Sequence, residues 1–163
     1  MKTRIASLFL PLALLATSGC VGDAVSDKLE TEITLSTSGG PMQPFEINKR
    51  FRFSRDPREA QSVSLEESYI SILTPGDADL TFMHRVTVYA ELGTNRVLIA
   101  DAQDFEAGQT YADLRIDYSE DIRPLISEDS RLRLVIRVEP NAWYGKAHPE
   151  LVISTVTQVG FEL

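Results

Sequence analysis

Hydrophobic and polar residues alternate along most of the chain after residue 30. The alternation runs through residues 45–53, 86–92, 114–118, 132–138 and 151–163, and short apolar runs lie at 69–73 and 96–100. A strand with one buried and one solvent-facing side produces this period of two. Together with Ile33 and Leu35, these segments predict about eight strands.

Residues typical of turns separate the predicted strands. Glycine, proline, asparagine or aspartate mark connections at 39–41, 56–57, 75–77, 93–95, 107–108 and 139–141. Short strands at this spacing favour an all-β fold, an antiparallel β-sandwich of immunoglobulin-like or Greek-key type. No stretch is long enough for the helical crossovers of a parallel α/β sheet. Between Leu92 and Arg96, the sequence Gly-Thr-Asn predicts a hairpin with a three-residue connection.

Helical signals are few and short. Residues 79–83 and 120–126 each predict a single turn, the second with Ser119 as its N-cap and Pro124 limiting its length. Residues 64–67 match a capping box that would open a helix of at most two turns. We therefore expect one or two short helical turns, placed where the chain crosses between the sheets.

The first twenty residues differ from the rest of the chain. Lys2 and Arg4 precede a mainly apolar run at residues 5–16, and Cys20 is the only cysteine. The run is shorter than the roughly 20 apolar residues that a membrane-spanning helix needs. Its length and its flanking residues instead fit the hydrophobic region of a secretory signal peptide.

The sequence that ends at Cys20 resembles the lipobox of bacterial lipoproteins, in which the cysteine follows leucine, a small residue, and glycine or alanine. Ser18, Gly19 and Cys20 match this pattern, whereas Thr17 stands in place of the leucine. The resemblance implies cleavage before Cys20 and acylation, palmitate included, of its thiol and new amino group. Because Val21 rather than aspartate follows, it also implies the outer membrane in a Gram-negative host. The alternative is an ordinary secretory signal, which would leave a free thiol.

This interpretation divides the chain into three parts. They are a signal peptide at residues 1–19, the lipidated cysteine with a polar tether at 20–29, and a β-sandwich domain at 30–163. Nine tether residues beyond the cysteine span about 30 Å when fully extended. The domain is therefore expected close to its membrane in the cell envelope, on the periplasmic face of the outer membrane or at the cell surface.

Charge and cysteine content exclude several classes of function. The 163 residues carry 16 Lys and Arg against 24 Asp and Glu, a net charge of −8 that becomes −10 once Lys2 and Arg4 leave with the signal peptide. An acidic chain without a basic run is a poor nucleic-acid binder. We also expect an anionic membrane surface to repel it. A single cysteine excludes an internal disulfide and a thiolate metal cluster, and no cofactor is predicted.

Residues 141–149 form the most unusual predicted loop. It contains Asn141, the only tryptophan Trp143, Tyr144, Lys146 and His148. Adjacent aromatic residues with polar neighbours can stack on a sugar ring or anchor a protein partner. Alternatively, Trp143 folds back to close one end of the sandwich, since large aromatic side chains are usually buried.

Two other groups carry chemistry that a site could use. Asp77, Asp79, Asp101 and Asp104 lie in predicted loops where a sandwich can bind calcium. No segment follows the calcium-loop motif, so solvated loop charge is the alternative. The two histidines, His84 and His148, are candidate general bases, but no G-x-S-x-G motif supplies a nucleophile.

An arginine stripe lies on the polar side of one predicted strand. Arg131, Arg133 and Arg137 could bind an anion there. The stronger expectation is that they form ion pairs with carboxylates on a neighbouring strand.

The features together favour a lipid-anchored envelope protein that is not an enzyme. We expect a binding or adaptor module that meets the membrane through its lipid and has an envelope protein or a glycan as partner. The alternative is a sandwich that binds a glycan or small ligand through the 141–149 loop. A further alternative is an envelope hydrolase whose site uses residues outside the known motifs.

Overall fold

The computed structural model describes residues 25–37, 42–118, 120–141 and 144–163. The strands are β1 (Val25–Leu35), β2 (Phe45–Arg52), β3 (Ser62–Thr74), β4 (Met83–Leu92), β5 (Asn95–Gln103), β6 (Tyr111–Asp113), β7 (Arg115–Ile116), β8 (Arg131–Pro140) and β9 (Leu151–Glu162). Single 3₁₀ turns span Pro57–Glu59, Leu80–Phe82 and Arg123–Leu125. The predicted all-β sandwich with short helical turns is confirmed.

Two antiparallel sheets make up the sandwich. Sheet A has the strand order β1-β9-β3-β6, and sheet B has the order β2-β8-β4-β5-β7. Strands that follow one another, such as β1 and β2 or β3 and β4, mostly lie in opposite sheets. The Greek-key connectivity is therefore that of a jelly roll.

The hydrophobic core lies between the central strands of the two sheets. In sheet A, Ile153 of β9 pairs with Ile33 and Ile72, and in sheet B, Ile136 of β8 pairs with Val88. Ile153 and Ile136 are fully buried. These inward side chains produce the alternation that was visible in the sequence.

The helix start predicted at residues 64–67 is wrong, because this segment belongs to β3. Val63 and Leu65 point toward the core on alternate positions, and a bulge between Leu65 and Glu67 restores the pairing with β9. Burial of alternate residues outweighs the local capping signal. The predicted turns at 79–83 and 120–126 are confirmed in position, but the proposed cap Ser119 lies outside the described residues.

Two boundaries also differ from expectation. The β4–β5 hairpin has a two-residue turn rather than a three-residue one, because Leu92 pairs with Asn95. Gly93 takes a φ of 62°, as the first central position of a type II′ turn requires. At the other boundary, β1 begins at Val25, so five residues of the predicted tether are part of the sandwich.

Within the described part of the chain, no helical segment has the length and apolar character needed to cross a bilayer.

Candidate functional site

The predicted loop connects β8 to β9 and closes one end of the sandwich. Backbone hydrogen bonds hold both of its ends. The amide of Asn141 donates to the carbonyl of Phe82 at 2.7 Å, and the amide of Thr37 donates to the carbonyl of His148 at 2.9 Å. The amide of His148 in turn donates to the hydroxyl of Thr37 at 2.8 Å.

Tyr144 and His148 turn toward the protein rather than toward solvent. The half-buried ring of Tyr144 packs on Phe82 with 6.1 Å between ring centroids. Its hydroxyl lies 3.2 Å from Nε2 of the buried His148. Burial, followed by the negative charge of Asp79, raises the pKa of Tyr144. The two rings therefore contribute a hydrogen-bonded pair to the end of the sandwich.

Lys146 is held by a carboxylate from another connection. Its Nζ lies 2.8 Å from Oδ2 of Asp79, whose side chain is only 6% exposed. The same Nζ donates to the backbone carbonyl of Asp77 at 3.3 Å. The hydrogen bond to Asp79 is the main reason that the pKa of Lys146 is raised.

Asp79 is the electrostatic centre of this end. It caps the turn at Leu80–Phe82, accepting from the amide and the hydroxyl of Thr81, and it accepts from the amide of Gly108 at 3.3 Å. Burial alone would raise the pKa of Asp79. The hydrogen bonds from Lys146, Thr81 and Gly108 outweigh burial and lower that pKa to about 2.

Two charged groups beside Tyr144 remain open to solvent. The Asp77 side chain is 81% exposed, with Oδ1 4.0 Å from Nδ1 of His148, and the Lys146 side chain is half exposed. A ligand could therefore meet one carboxylate, one ammonium group and the rim of Tyr144. Such a set can bind a polar molecule through hydrogen bonds.

The structure brings together most of the residues predicted for this site. Tyr144, Lys146 and His148 share one end of the fold, with Asn141 exposed at its rim. Trp143 lies outside the described residues. Sequence reasoning missed Asp79 as the partner of Lys146, because the two residues are 67 positions apart.

The histidines sit in different surroundings. His84 is exposed, with Nδ1 3.8 Å from Oδ1 of Asp104. His148 is buried against Tyr144. Among the described residues, neither ring is hydrogen-bonded to a serine hydroxyl, which is the arrangement that a serine hydrolase would need.

The four carboxylates considered for calcium are separated by their partners. Asp79 is bound to Lys146, and Asp104 lies beside His84. Asp101 on β5 accepts from Arg85 at 2.7 Å and from Arg115 at 3.0 Å. Within the described ranges, no three His, Cys, Asp or Glu side chains converge as metal ligands. The calcium hypothesis therefore has no preformed ligand set there.

The arginine stripe on β8 is paired. Arg133 Nη1 lies 2.9 Å from Glu91 on β4, and Arg137 Nη1 lies 3.9 Å from Glu46 on β2. The predicted cross-strand pair is thus confirmed for Arg133, whereas the nearer carboxylate of Arg137 is Glu139 on β8 itself, at 3.2 Å. Arg131 instead pairs with Asp129, which precedes it in the connecting loop, at 3.1 Å.

A second surface went unnoticed in the sequence. Two shallow grooves of about 340 and 420 Å³ meet at Asp129, near the end of β2. Their arginines are Arg50, Arg52, Arg55, Arg58, Arg131 and Arg133. The signal was present in residues 49–58, where five of ten residues are basic, but the acidic total hid it.

Comparisons with known proteins place the chain in no family. No family model matches it, and no curated protein does. A chain from a structure of empty-head turnip yellow mosaic virus is 12% identical, covering 99% of this chain and 90% of that chain at a TM-score of 0.31. A chain of desmodium yellow mottle tymovirus is 7% identical, covering 99% and 96% at a TM-score of 0.28. Such low TM-scores say nothing about what this chain does.

Proposed function

We propose that this protein is a lipid-anchored envelope protein that acts as a non-catalytic binding or adaptor module. The lipid is attached at Cys20, and the sandwich carries the binding surface. The proposal is supported by the lipobox-like residues Ser18, Gly19 and Cys20, and by a folded domain that begins only five residues later, at Val25.

The single observation that carries the proposal is the direction of β1. Val25 pairs with Phe161 at one end of sheet A. Leu35 pairs with Leu151 at the other end, where the 141–149 loop leads into β9. Eleven residues of strand at about 3.3 Å each separate these ends by roughly 35 Å. A lipid at Cys20 therefore leaves the loop end directed away from the membrane, where a partner can reach it.

The anchor is tested by replacing the only cysteine. Wild-type protein from the host is expected to enter the detergent phase of a Triton X-114 separation, and its N-terminal peptide to carry acyl chains by mass spectrometry. Cys20→Ser should move to the aqueous phase with an unchanged far-UV spectrum, since residue 20 precedes the first strand. Wild-type protein that stays aqueous with an unmodified thiol would refute the proposal.

Crosslinking in native envelopes tests the binding role. A reagent that joins amines should couple Lys146 at the distal end to a specific neighbour, because that side chain is half exposed. The matched control is Lys28, which is 54% exposed on the outer face of sheet A. Equal, non-specific yields from both lysines would contradict an adaptor surface at the loop end.

A second candidate function is the binding of a glycan or small polar ligand by the same end. The observation that favours it is the grouping of Asp77, Tyr144 and Lys146 at this end of the sandwich. Changing Trp143 and Tyr144 together to alanine should then abolish retention on immobilised envelope glycan. The control is Tyr111→Ala on sheet A, whose ring is 44% exposed. Unchanged retention by the double variant would eliminate this version.

A further inference from the structure

The basic residues near the end of β2 lie beside the start of β1. Oδ2 of Asp27 accepts from the amide of Ser54 at 2.7 Å, and Oδ1 accepts from its hydroxyl at 2.6 Å. Asp27 is the third residue of β1, so this contact lies close to the end of β1 from which the chain continues toward Cys20. We call the exposed cations Arg50, Arg52 and Arg55, which line the two grooves, the basic corner.

The charge of the basic corner is largely uncompensated. In the described part of the chain, no carboxylate lies within ion-pair distance of these three side chains, although Arg50 lowers the pKa of Asp129 through its charge. Most of the neighbouring carboxylates already have other partners. Asp56 binds Arg58, Glu91 binds Arg96 and Arg133, and Asp129 binds Arg131. Among the described residues nearby, Glu59 and Glu128 have no close cation.

The opposite end of the sandwich has no comparable group of unpaired cations among the described residues. Its exposed acidic residues are Asp77, Asp104, Glu106 and Glu150. Lys146 is the nearby lysine, and it is neutralised by Asp79. Exposed Glu59, Glu120 and Glu162 lie at the end nearest Cys20 too, beside the start of β3, so the free cations form a local patch near the end of β2.

An exposed apolar side chain accompanies the arginines. Leu92, at the tip of the β4–β5 hairpin, is 37% exposed and lines the groove of about 340 Å³ with Arg50, Arg131 and Arg133. Arginine beside an exposed leucine is the composition of surfaces that settle at the boundary between headgroups and acyl chains.

We propose that the basic corner and Leu92 lie against anionic headgroups of the membrane that holds the Cys20 lipid. This orientation rests on the proposed lipid anchor, and five residues of chain limit the separation of Cys20 and Val25 to about 17 Å. A membrane charge is screened beyond about 8 Å at physiological salt, so the surface interacts with the nearest cations rather than with the net charge of the whole domain. Our expectation of repulsion, which came from net charge alone, is replaced by this oriented contact.

The test uses the Cys20→Ser chain from residue 20, which contains every described residue and needs no acyl group. Its partitioning is measured by co-sedimentation with phosphatidylcholine vesicles that contain either no or 30% phosphatidylglycerol. We expect at least tenfold stronger partitioning onto the anionic vesicles at low salt, and loss of this preference at 0.5 M salt. Equal partitioning onto both vesicle types overturns the proposal.

A matched pair of variants locates the contact. Arg52→Gln with Arg55→Gln should weaken partitioning onto the anionic vesicles about tenfold. Gln43→Glu with Gln103→Glu makes the same change in net charge at exposed positions near the other end. This variant should change partitioning onto the anionic vesicles by less than about twofold. Equal losses in both variants would refute a local contact. The urea midpoint should stay unchanged in both, because all four side chains are exposed.

Orientation is read from a dye on a single new cysteine. Thr94→Cys labels the hairpin next to Leu92, and Gly76→Cys labels the opposite end, where an added Cβ meets no atom within 4 Å. Energy transfer to a headgroup-labelled lipid should be stronger from position 94 than from position 76. The reverse order overturns the proposal. Acylation of Cys20 is measured separately in the host, so failure of the anchor and failure of the contact give different results.

Discussion

At the scale of single residues, the loop end depends on one buried carboxylate. Asp79 accepts hydrogen bonds from Lys146, Thr81 and Gly108, and so joins three connections of the chain. A buried charge without such partners would strongly destabilise the fold. The ordered path of the 141–149 loop therefore depends on a residue that belongs to a different connection.

Asp79→Asn should lower the free energy of unfolding by about 2 kcal/mol at pH 7, because the folded pKa of about 2 lies well below the ordinary value of 3.8. Asparagine keeps an acceptor for Thr81, so the loss isolates the charge. The ionised Asp79 carboxylate stabilises the fold fully above about pH 4, and this stabilisation is lost as the pH falls through its folded pKa of about 2. The difference between the two proteins should therefore shrink from pH 4 to pH 2 in urea unfolding.

The control for this prediction is Asp77→Asn. Its side chain is 81% exposed and lies 4.0 Å from His148. Exposed pairs contribute little, so the free energy of unfolding from urea titration should change by no more than a few tenths of a kcal/mol, on the order of 0.3 kcal/mol. A loss for Asp77→Asn as large as for Asp79→Asn would contradict the assignment of the charge to the buried carboxylate.

Sequence reasoning reached the members of this end but not their arrangement. The spacing of Tyr144, Lys146 and His148 in one loop identified them as neighbours. Their direction depends on Phe82 and Asp79, which another connection supplies. Contacts between residues so far apart in the chain leave no local pattern, so burial of Tyr144 and pairing of Lys146 could only be seen in the fold.

At the scale of elements, the short strand β7 is held by side-chain ion pairs as well as by its backbone ladder. It pairs with β5 through Ala100 with Ile116 and Asp101 with Arg115. The carboxylate of Asp101 is 7% exposed and binds both Arg85 and Arg115. This bridge fastens β7 across β5 to β4 at the edge of sheet B.

Asp101→Ala should therefore release β7 while leaving the rest of sheet B paired. Without the carboxylate, Arg85 and Arg115 lose their shared hydrogen-bond acceptor, which should lower the free energy of unfolding by about 1–3 kcal/mol. Hydrogen exchange at residues 115–117 should rise, while exchange in β8 stays slow. Asp101→Asn keeps an acceptor and should show a smaller effect. Unchanged exchange at 115–117 in the alanine variant would show that the backbone alone holds β7.

The elements themselves were visible as alternation wherever one face is buried, as in β8. The start of β1 was not, because polar Asp27 and Lys28 make residues 25–29 look like a tether. Its strand state comes from pairing with β9 at the far end of the chain. The alternation of hydrophobic and polar residues also breaks down in β9, because both of its faces are covered. Val156 on the outer face and Ile153 on the inner face are both buried.

At the scale of the whole molecule, net charge was a poor guide to the surface. The total of −8 concealed a basic segment at residues 49–58, and the fold gathers further arginines beside it. Folding pairs most arginines with carboxylates but leaves Arg50, Arg52 and Arg55 without an ion pair among the described residues. A ligand or membrane responds to this local field, because screening limits charge interactions to about 8 Å.

The true start of the domain is tested by shortening the chain from its N-terminus. A chain beginning at residue 24 keeps all of β1, whereas one beginning at residue 30 loses the pairs from Val25 to Leu29 with β9. It also loses the hydrogen bond that the Ser54 amide donates to Asp27, and it loses Leu29, which is 4% exposed. We expect the second chain to be about 3 kcal/mol less stable in urea, since burial of one leucine alone contributes about 2 kcal/mol.

The comparison has a built-in control, because a chain beginning at residue 20 adds only residues before β1. It should unfold at the same urea concentration as the chain beginning at residue 24. If the chain beginning at residue 30 unfolds at the same urea concentration as both longer chains, residues 25–29 are a tether and the boundary predicted from sequence is right. If it is weakened as expected, Cys20 stands next to folded structure, and a lipid there holds the sandwich at a distance fixed by five residues rather than nine.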